Sequence, residues 1–201
     1  MRLLISPASP YVRKVRVLLR EAGRTADVEE ITVATTAFAT DPQVMAANPL
    51  GKIPALILDD ESALYDSRVI TRYLDAHFDA GLYPDEAIWE VLRLEATGDG
   101  ILDCALAMAY EVRFRPADKQ STEWLDAQWA KIARALDLLD SEAGAQLDGA
   151  LTMGQISVAC ALGYLDFRHG ARGWRTGRPQ LAAWAAKVFD RPSMRETAPT
   201  S

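Results

Sequence analysis

Cysteine and histidine are scarce in this 201-residue chain, which has two of each. Cys104 and Cys160 stand far apart within apolar stretches and form no CxxC or metal-ligand spacing. They read as buried free thiols of a reducing compartment, which excludes a disulfide framework and a zinc site. His77 and His169 have no partner at ligand spacing, so no metal is expected. No apolar run approaches the roughly 20 residues of a membrane span, and Pro7 and Pro10 interrupt the opening apolar run too early for a signal peptide. Positive charge is in the minority: 22 Lys plus Arg stand against 28 Asp plus Glu, a net charge of −6. There is no basic stripe, which argues against nucleic acid as a partner. A cytoplasmic, soluble protein is expected, with 49% hydrophobic residues to build an ordinary core.

What is present organises itself around Asn48–Ser67, NPLGKIPALILDDESALYDS. Pro54 opens the apolar run Ala55–Leu58 and reads as the first residue of a strand, because proline cannot donate to a sheet ladder from a central position. Ile53 before it is pushed into an extended conformation, and its backbone N–H and C=O could pair with an extended peptide if the Ile53-Pro54 bond is cis. Farther on, Asp66-Ser67 stands where a strand gives way to a helix with apolar positions Val69, Ile70, Tyr73, Leu74 and Phe78. Taken alone, that pair is an ordinary helix cap. Such a helix start also attracts an anion through its N–H groups, and the carboxylate can accept from an ammonium.

Around this stretch the elements alternate. Leu3-Leu4-Ile5 suits a buried strand. Ser9 is the candidate N-cap of a helix with Pro10 at its first position and Val12, Val15, Leu18, Leu19 and Ala22 at helical spacing, ending at Gly23. A strand over 28–33, a short helix over 42–47 and a hairpin turning at Asp59-Asp60 complete the order β-α-β-α-β-β-α. Gly81-Leu82-Tyr83-Pro84 reads as a linker, and only helices follow. One spans 85–114, and a second carries the seam Leu125, Trp129, Ile132, Leu136 and Leu139. Thr152 and Gln155 have the capping-box arrangement ahead of an all-apolar helix that should form the centre of this part. A short helix over 181–189 ends the series, and the polar tail beyond Pro192 is expected to be poorly ordered.

The segment Asn48-Pro49-Leu50-Gly51-Lys52-Ile53-Pro54, with Asp66-Ser67 downstream, resembles the glutathione-binding half of the glutathione transferase family. Ser9-Pro10-Tyr11-Val12-Arg13-Lys14, Asp99–Asp103 and Gly163–Arg168 extend the likeness over essentially the whole chain, toward the bacterial serine-type members. The resemblance implies an α/β plus all-α architecture: a thioredoxin-like domain over 1–79 and a helical bundle over 85–201. It also implies a homodimer and glutathione as co-substrate. By the same likeness, Ser9 contacts the thiol, Lys52 lies near the glycyl carboxylate, Ile53 ahead of Pro54 pairs with the cysteinyl unit, and Asp66 with Ser67 holds the γ-glutamyl end. Asp66 stands where many relatives carry Glu.

A glutathione thiol has an ordinary pKa of roughly 8.5, so a neutral-pH nucleophile requires a stabilised thiolate. The Ser9 hydroxyl and the helix start could both supply this. Ser6 is the rival hydroxyl, nearer the strand end. Serine forms no mixed disulfide, so thiol-disulfide exchange is disfavoured. Tyr11, Met108, Tyr110 and Arg113 are candidates to line the pocket of a small electrophile. The alternative to an enzyme is a glutathione-binding or regulatory protein that keeps the fold with little activity.

Overall fold

Residues 1–200 are described by a computed structural model that forms two compact units, Met1–Ala87 joined by the segment from Pro192, and Ile88–Arg191. The first unit runs β1 (Arg2–Ile5), α1 (Pro10–Glu21), β2 (Glu29–Thr32), α2 (Pro42–Ala47), β3 (Ala55–Ile57), β4 (Ala63–Leu64) and α3 (Ser67–Phe78). This is the expected order, and the unit is thioredoxin-like. The sheet has the order β2-β1-β3-β4, with β1 parallel to β2 and antiparallel to β3, and β3 antiparallel to β4.

β1 lies centrally and is covered on both faces, which is why Leu3, Leu4 and Ile5 are all apolar instead of alternating. Leu4 packs with Val33, Val44, Ala47 and Ala55, while α1 and α3 pack against each other. α1 begins as expected, with Ser9 as N-cap and Pro10 in the first turn.

Two expectations about this unit need correction. Residues 81–84 are no free linker: Leu82 and Tyr83 are buried, the Leu82 N–H donates to Asp75 Oδ1 at 2.7 Å, and the Tyr83 and Thr71 hydroxyls bond at 2.9 Å. The division between units falls after Ala87, not in the 80–84 stretch.

The tail is ordered as well. Pro192–Glu196 forms a further helix, α9, and belongs to the first unit, so the division differs from 1–79 and 85–201. Buried Arg13 donates to the Met194 carbonyl at 2.9 Å and to Thr197 Oγ1 at 3.5 Å. Arg20 pairs with Glu196 at 3.2 Å, and the Ser193 hydroxyl donates to Glu21. Truncation after Arg191 is therefore expected to leave Arg13 with two fewer acceptors and to cost on the order of 3 kcal/mol. A chemical-denaturation midpoint unchanged by truncation would contradict this docking.

The second unit is all-helical: α4 (Ile88–Phe114), α5 (Thr122–Ser141), α6 (Ala143–Gln146), α7 (Met153–His169) and α8 (Pro179–Phe189). α7 is buried continuously from Met153 to Leu165, as its all-apolar pattern requires. Its capping box is complete: the Gln155 N–H donates to Thr152 Oγ1, and Gln155 Oε1 accepts from the Thr152 N–H at 3.1 Å. Gln155 Nε2 also donates to the Leu147 carbonyl, so the box satisfies three backbone groups without a buried charge. Ile132, Leu136 and Leu139 bury the expected α5 seam. Cys160 is buried as expected, but Cys104 is only half-buried, and burial pushes its thiol upward. Among the described residues no helix is long and apolar enough to cross a membrane.

Candidate active site

The strand registers bring the predicted site segments of the first unit to one end of the sheet. Leu4 of β1 pairs with Ala55, so Ile5 and the turn to Ser9 leave β1 where Pro54 enters β3. Leu56 pairs with Leu64, so Tyr65 and Asp66 leave β4 at that same end. In the order β1-β3-β4, the strand carrying Pro54 lies between the other two. The Ser9 and Asp66 turns thus stand two strand spacings apart, about 10 Å.

Ser9 is half-buried in extended backbone conformation, and its Oγ accepts from the Val12 N–H at 3.3 Å. A hydroxyl that accepts this bond keeps its own O–H to donate. The first helical N–H groups lie beside it, so any anion here meets a hydroxyl donor and the positive end of α1. Ser6 supplies the turn instead: its carbonyl accepts the Ser9 N–H at 3.0 Å.

The approach to Pro54 is set by Asn48, which is buried. Its Oδ1 accepts from the Leu50 N–H at 3.0 Å, and its Nδ2 donates to the Lys52 carbonyl at 2.8 Å. One side chain thereby fixes both arms of the turn. Gly51 at φ +64° completes it, and a Cβ there would lie 2.9 Å from Thr40 Cγ2, so the position admits neither a side chain's backbone preference nor its volume. Lys52 is exposed. Ile53-Pro54 is cis, and Ile53 stands ahead of the ladder, whose first paired residue on β3 is Ala55.

Asp66 caps α3, as its place before the helix suggested, through Oδ1 accepting from the Arg68 N–H at 3.0 Å. Tyr65-Asp66 is cis. The Arg68 guanidinium donates to Oδ2 at 3.1 Å, a partner that the sequence did not announce. Burial pushes the Asp66 carboxyl upward, but the Arg68 guanidinium and the N–H groups of Arg68 and Val69 outweigh it and hold the pKa below its ordinary 3.8. Asp66 is therefore a carboxylate at neutral pH, with lone pairs left for a further donor. Ser67, the first residue of α3, is buried.

The four electrophile-pocket candidates are divided between the units. Tyr11 is half-buried in the first turn of α1. In the helical unit Met108 is core, 3% exposed, whereas Tyr110 is partly exposed with its ring edge-on to Phe114 at 5.1 Å. Arg113 lies over the Phe114 ring, 5.2 Å from its centre. His169 is a packed side chain: Nε2–H donates to the Ala105 carbonyl at 2.8 Å, and burial holds the imidazole below its ordinary 6.5.

The first unit is thioredoxin-like, with a hydroxyl-capped first helix, a cis-proline strand start and an acidic helix cap at one sheet end, and an all-helical unit follows it. Residues 8–77 match the glutathione S-transferase N-terminal domain, and residues 122–187 match the C-terminal domain. The chain is 36% identical to the uncharacterized GST-like protein YibF of Escherichia coli K12, over 99% of this chain and 98% of that protein. A glutathione transferase family member from Pseudomonas fluorescens Pf-5, solved with bound glutathione, is 47% identical with a TM-score of 0.96, covering 100% of this chain and 99% of that one. A second structure of that family member, with bound S-(propanoic acid)-glutathione, has a TM-score of 0.92 at 46% identity, with full coverage of both chains. The chain belongs to the glutathione transferase family.

Proposed function

We propose that this chain is a glutathione transferase that binds glutathione along the Pro54 edge, ionises its thiol beside Ser9 and adds the thiolate to a small electrophile. The observation that carries this reading is the convergence of Ser9, Ile53-Pro54 and Asp66-Ser67 on one sheet end. The span of about 10 Å between the outer two suits an extended tripeptide of roughly 3.3–3.6 Å per residue. The glutathione and S-(propanoic acid)-glutathione bound in the two structures of the Pseudomonas relative support the same ligand.

In this reading Asp66 accepts from the γ-glutamyl ammonium, the N–H groups at the start of α3 meet the adjacent carboxylate, and Ser67 supports that end. Ile53 pairs with the cysteinyl backbone, and Lys52 serves the glycyl carboxylate. Tyr11, in the first turn of α1 after Ser9, contacts the electrophile. The reading extends to a cytoplasmic homodimer.

Titration calorimetry with glutathione and S-methylglutathione, repeated in buffers of different ionisation enthalpy, tests this. Both ligands should bind, and only the free thiol should release a proton at neutral pH. No binding at millimolar ligand would sink the reading and favour a regulatory relative that has kept only the fold.

A second expectation concerns Asp66→Asn. Asparagine caps a helix as well as aspartate does, so the melting temperature should hold. The lost charge weakens the ammonium contact, and the Kd for glutathione should rise about 10-fold or more. An unchanged Kd would remove Asp66 from the site. Because Arg68 holds the carboxyl below 3.8, its contribution to binding should persist from neutral pH downward and fade only as pH falls through that lowered pKa.

A further inference from the structure

We propose that Arg13 is a positioning residue for the thiolate: fastened in the first turn of α1 by the segment from Pro192, its buried charge favours an anion beside Ser9. Only the identity of that anion, the thiolate of glutathione, rests on the reading above.

The first five residues of α1, Pro10-Tyr11-Val12-Arg13-Lys14, contain two cations and no acid. Helix starts favour the opposite sign, because the N–H groups there already carry partial positive charge. Burial adds to that cost, and Arg13 is only 6% exposed while Lys14 is fully buried. A helix start so arranged opposes folding at these two residues and favours whatever anion settles at its tip. Local rules broken in this way gather at functional sites.

Arg13 is tied both to Ser9 and to α9. Its backbone N–H donates to the Ser9 carbonyl at 3.1 Å, the bond that closes the first turn. Its guanidinium donates to the Met194 carbonyl at 2.9 Å and to Thr197 Oγ1 at 3.5 Å. Both acceptors are neutral, so these bonds hold the group in place without cancelling its charge. Thr197 is itself oriented, since its hydroxyl donates to the Ser193 carbonyl at 2.7 Å and so keeps a lone pair for Arg13. Farther along α1 the same segment is fastened again, Ser193 to Glu21 and Glu196 to Arg20. A neutral donor at position 13 would tie α9 to α1 as well, without burying a charge at a helix start. The tie alone therefore does not explain an arginine there.

Ser9 and Arg13 are four residues apart, about 6 Å along the helix axis. A unit charge about 10 Å away, at the effective dielectric of about 20 that suits partly buried groups, shifts a titration by about one pKa unit. The charges of the neighbouring elements are occupied or exposed: Glu30 of β2 pairs with Arg16 and Arg20, Asp66 pairs with Arg68, and Lys52 is exposed. With Lys14, they are common to all the proteins compared below.

The first arm of the test needs no glutathione. Ser9→Cys places a thiol at the cap itself, and the pH dependence of its alkylation by iodoacetamide, read at residue 9 by mass spectrometry apart from Cys104 and Cys160, gives its pKa. A thiol at a helix start titrates below about 8.5. In that background Arg13→Gln, which keeps a donor for the Met194 carbonyl but has no charge, should raise the pKa by about one unit. Arg13→Lys, which keeps the charge, should leave it nearly where it was. An unmoved pKa in Arg13→Gln overturns the proposal, and so does an equal rise in Arg13→Lys, which would mark a packing role. The melting temperature is the folding control; if Arg13→Gln does not fold, Arg13→Met, which keeps an apolar stem without charge, carries the comparison.

The second arm keeps Ser9 and titrates the ultraviolet absorbance of the thiolate of bound glutathione against pH, in wild type and in Arg13→Gln. The same rise of about one unit is expected. A bound thiol whose pKa does not move overturns the assignment of the thiolate as the anion. Absence of glutathione binding to wild type sinks the transferase reading, while the first arm still decides the role of Arg13.

Discussion

Replacement of Ser9 by alanine should lower turnover about 8- to 25-fold at pH 7 and hardly at all at pH 9.5. A bond from the Ser9 hydroxyl to a charged sulfur contributes about 1.5–3 kcal/mol, or one to two pKa units. A thiol of pKa roughly 8.5 is about 3% ionised at pH 7, whereas one lowered by one to two units is about a quarter to three quarters ionised. The deficit is mostly one of thiolate population, so raising the pH past the unperturbed thiol pKa should restore the variant. Alanine also removes the oxygen that accepts the Val12 N–H at 3.3 Å, and that cap is worth about 1 kcal/mol, against a few tenths when glycine replaces it. Ser9→Gly therefore separates the two roles. It should lose turnover as Ser9→Ala does while keeping more of the stability, read as a difference of about 2–4 °C in melting temperature. A turnover deficit that persists unchanged to pH 9.5 would show that Ser9 acts on something other than thiol ionisation. Wild-type activity in Ser9→Gly would remove it from the chemistry.

The site segments were legible because each is locally encoded. Ser9-Pro10 writes a helix start, Ile53-Pro54 a strand start and Asp66-Ser67 a second helix start, and each signal spans only a few residues. Gln155 was legible for the same reason, since the capping box closes over four residues.

What escaped the sequence was contact between residues far apart in it. Pro192 reads as a helix stop, yet it opens α9, and the acceptors that hold Arg13 are more than 180 residues away from it. Gly81–Pro84 carries every mark of a linker, but the chain after the turn comes back to α3, where Tyr83 finds Thr71. Local chemistry shows that a helix can begin at a proline or that a turn can bend. It does not say which distant surface has a donor waiting. α4 illustrates the same limit: its span was readable, but the close approach of Gly98 to Ser157 and Val158 depends on two helices crossing.

That crossing fixes the last expectation, which concerns two glycines of one helix. Gly98 and Gly100 both lie within α4, and in an exposed helix Gly→Ala stabilises by about 1 kcal/mol. Gly100 is exposed, and a methyl there would meet nothing within 4 Å, so Gly100→Ala should deliver that gain. At Gly98 the same methyl would lie 2.5 Å from Ser157 Oγ, 2.7 Å from the Ser157 carbonyl carbon and 2.8 Å from the Val158 nitrogen. The hydroxyl could turn aside, but it donates to Asp99 Oδ1 at 3.0 Å, with the Glu95 carbonyl also in reach at 3.2 Å. The two backbone atoms of α7 cannot turn at all, so the helices must separate along their buried seam. Overpacking of this kind costs about 1–3 kcal/mol, which cancels or reverses the gain in helix propensity. Two substitutions of identical chemistry, two residues apart, should thus move stability in opposite directions, by several degrees in melting temperature between them. Equal stabilisation by both would mean that α4 and α7 do not approach this closely.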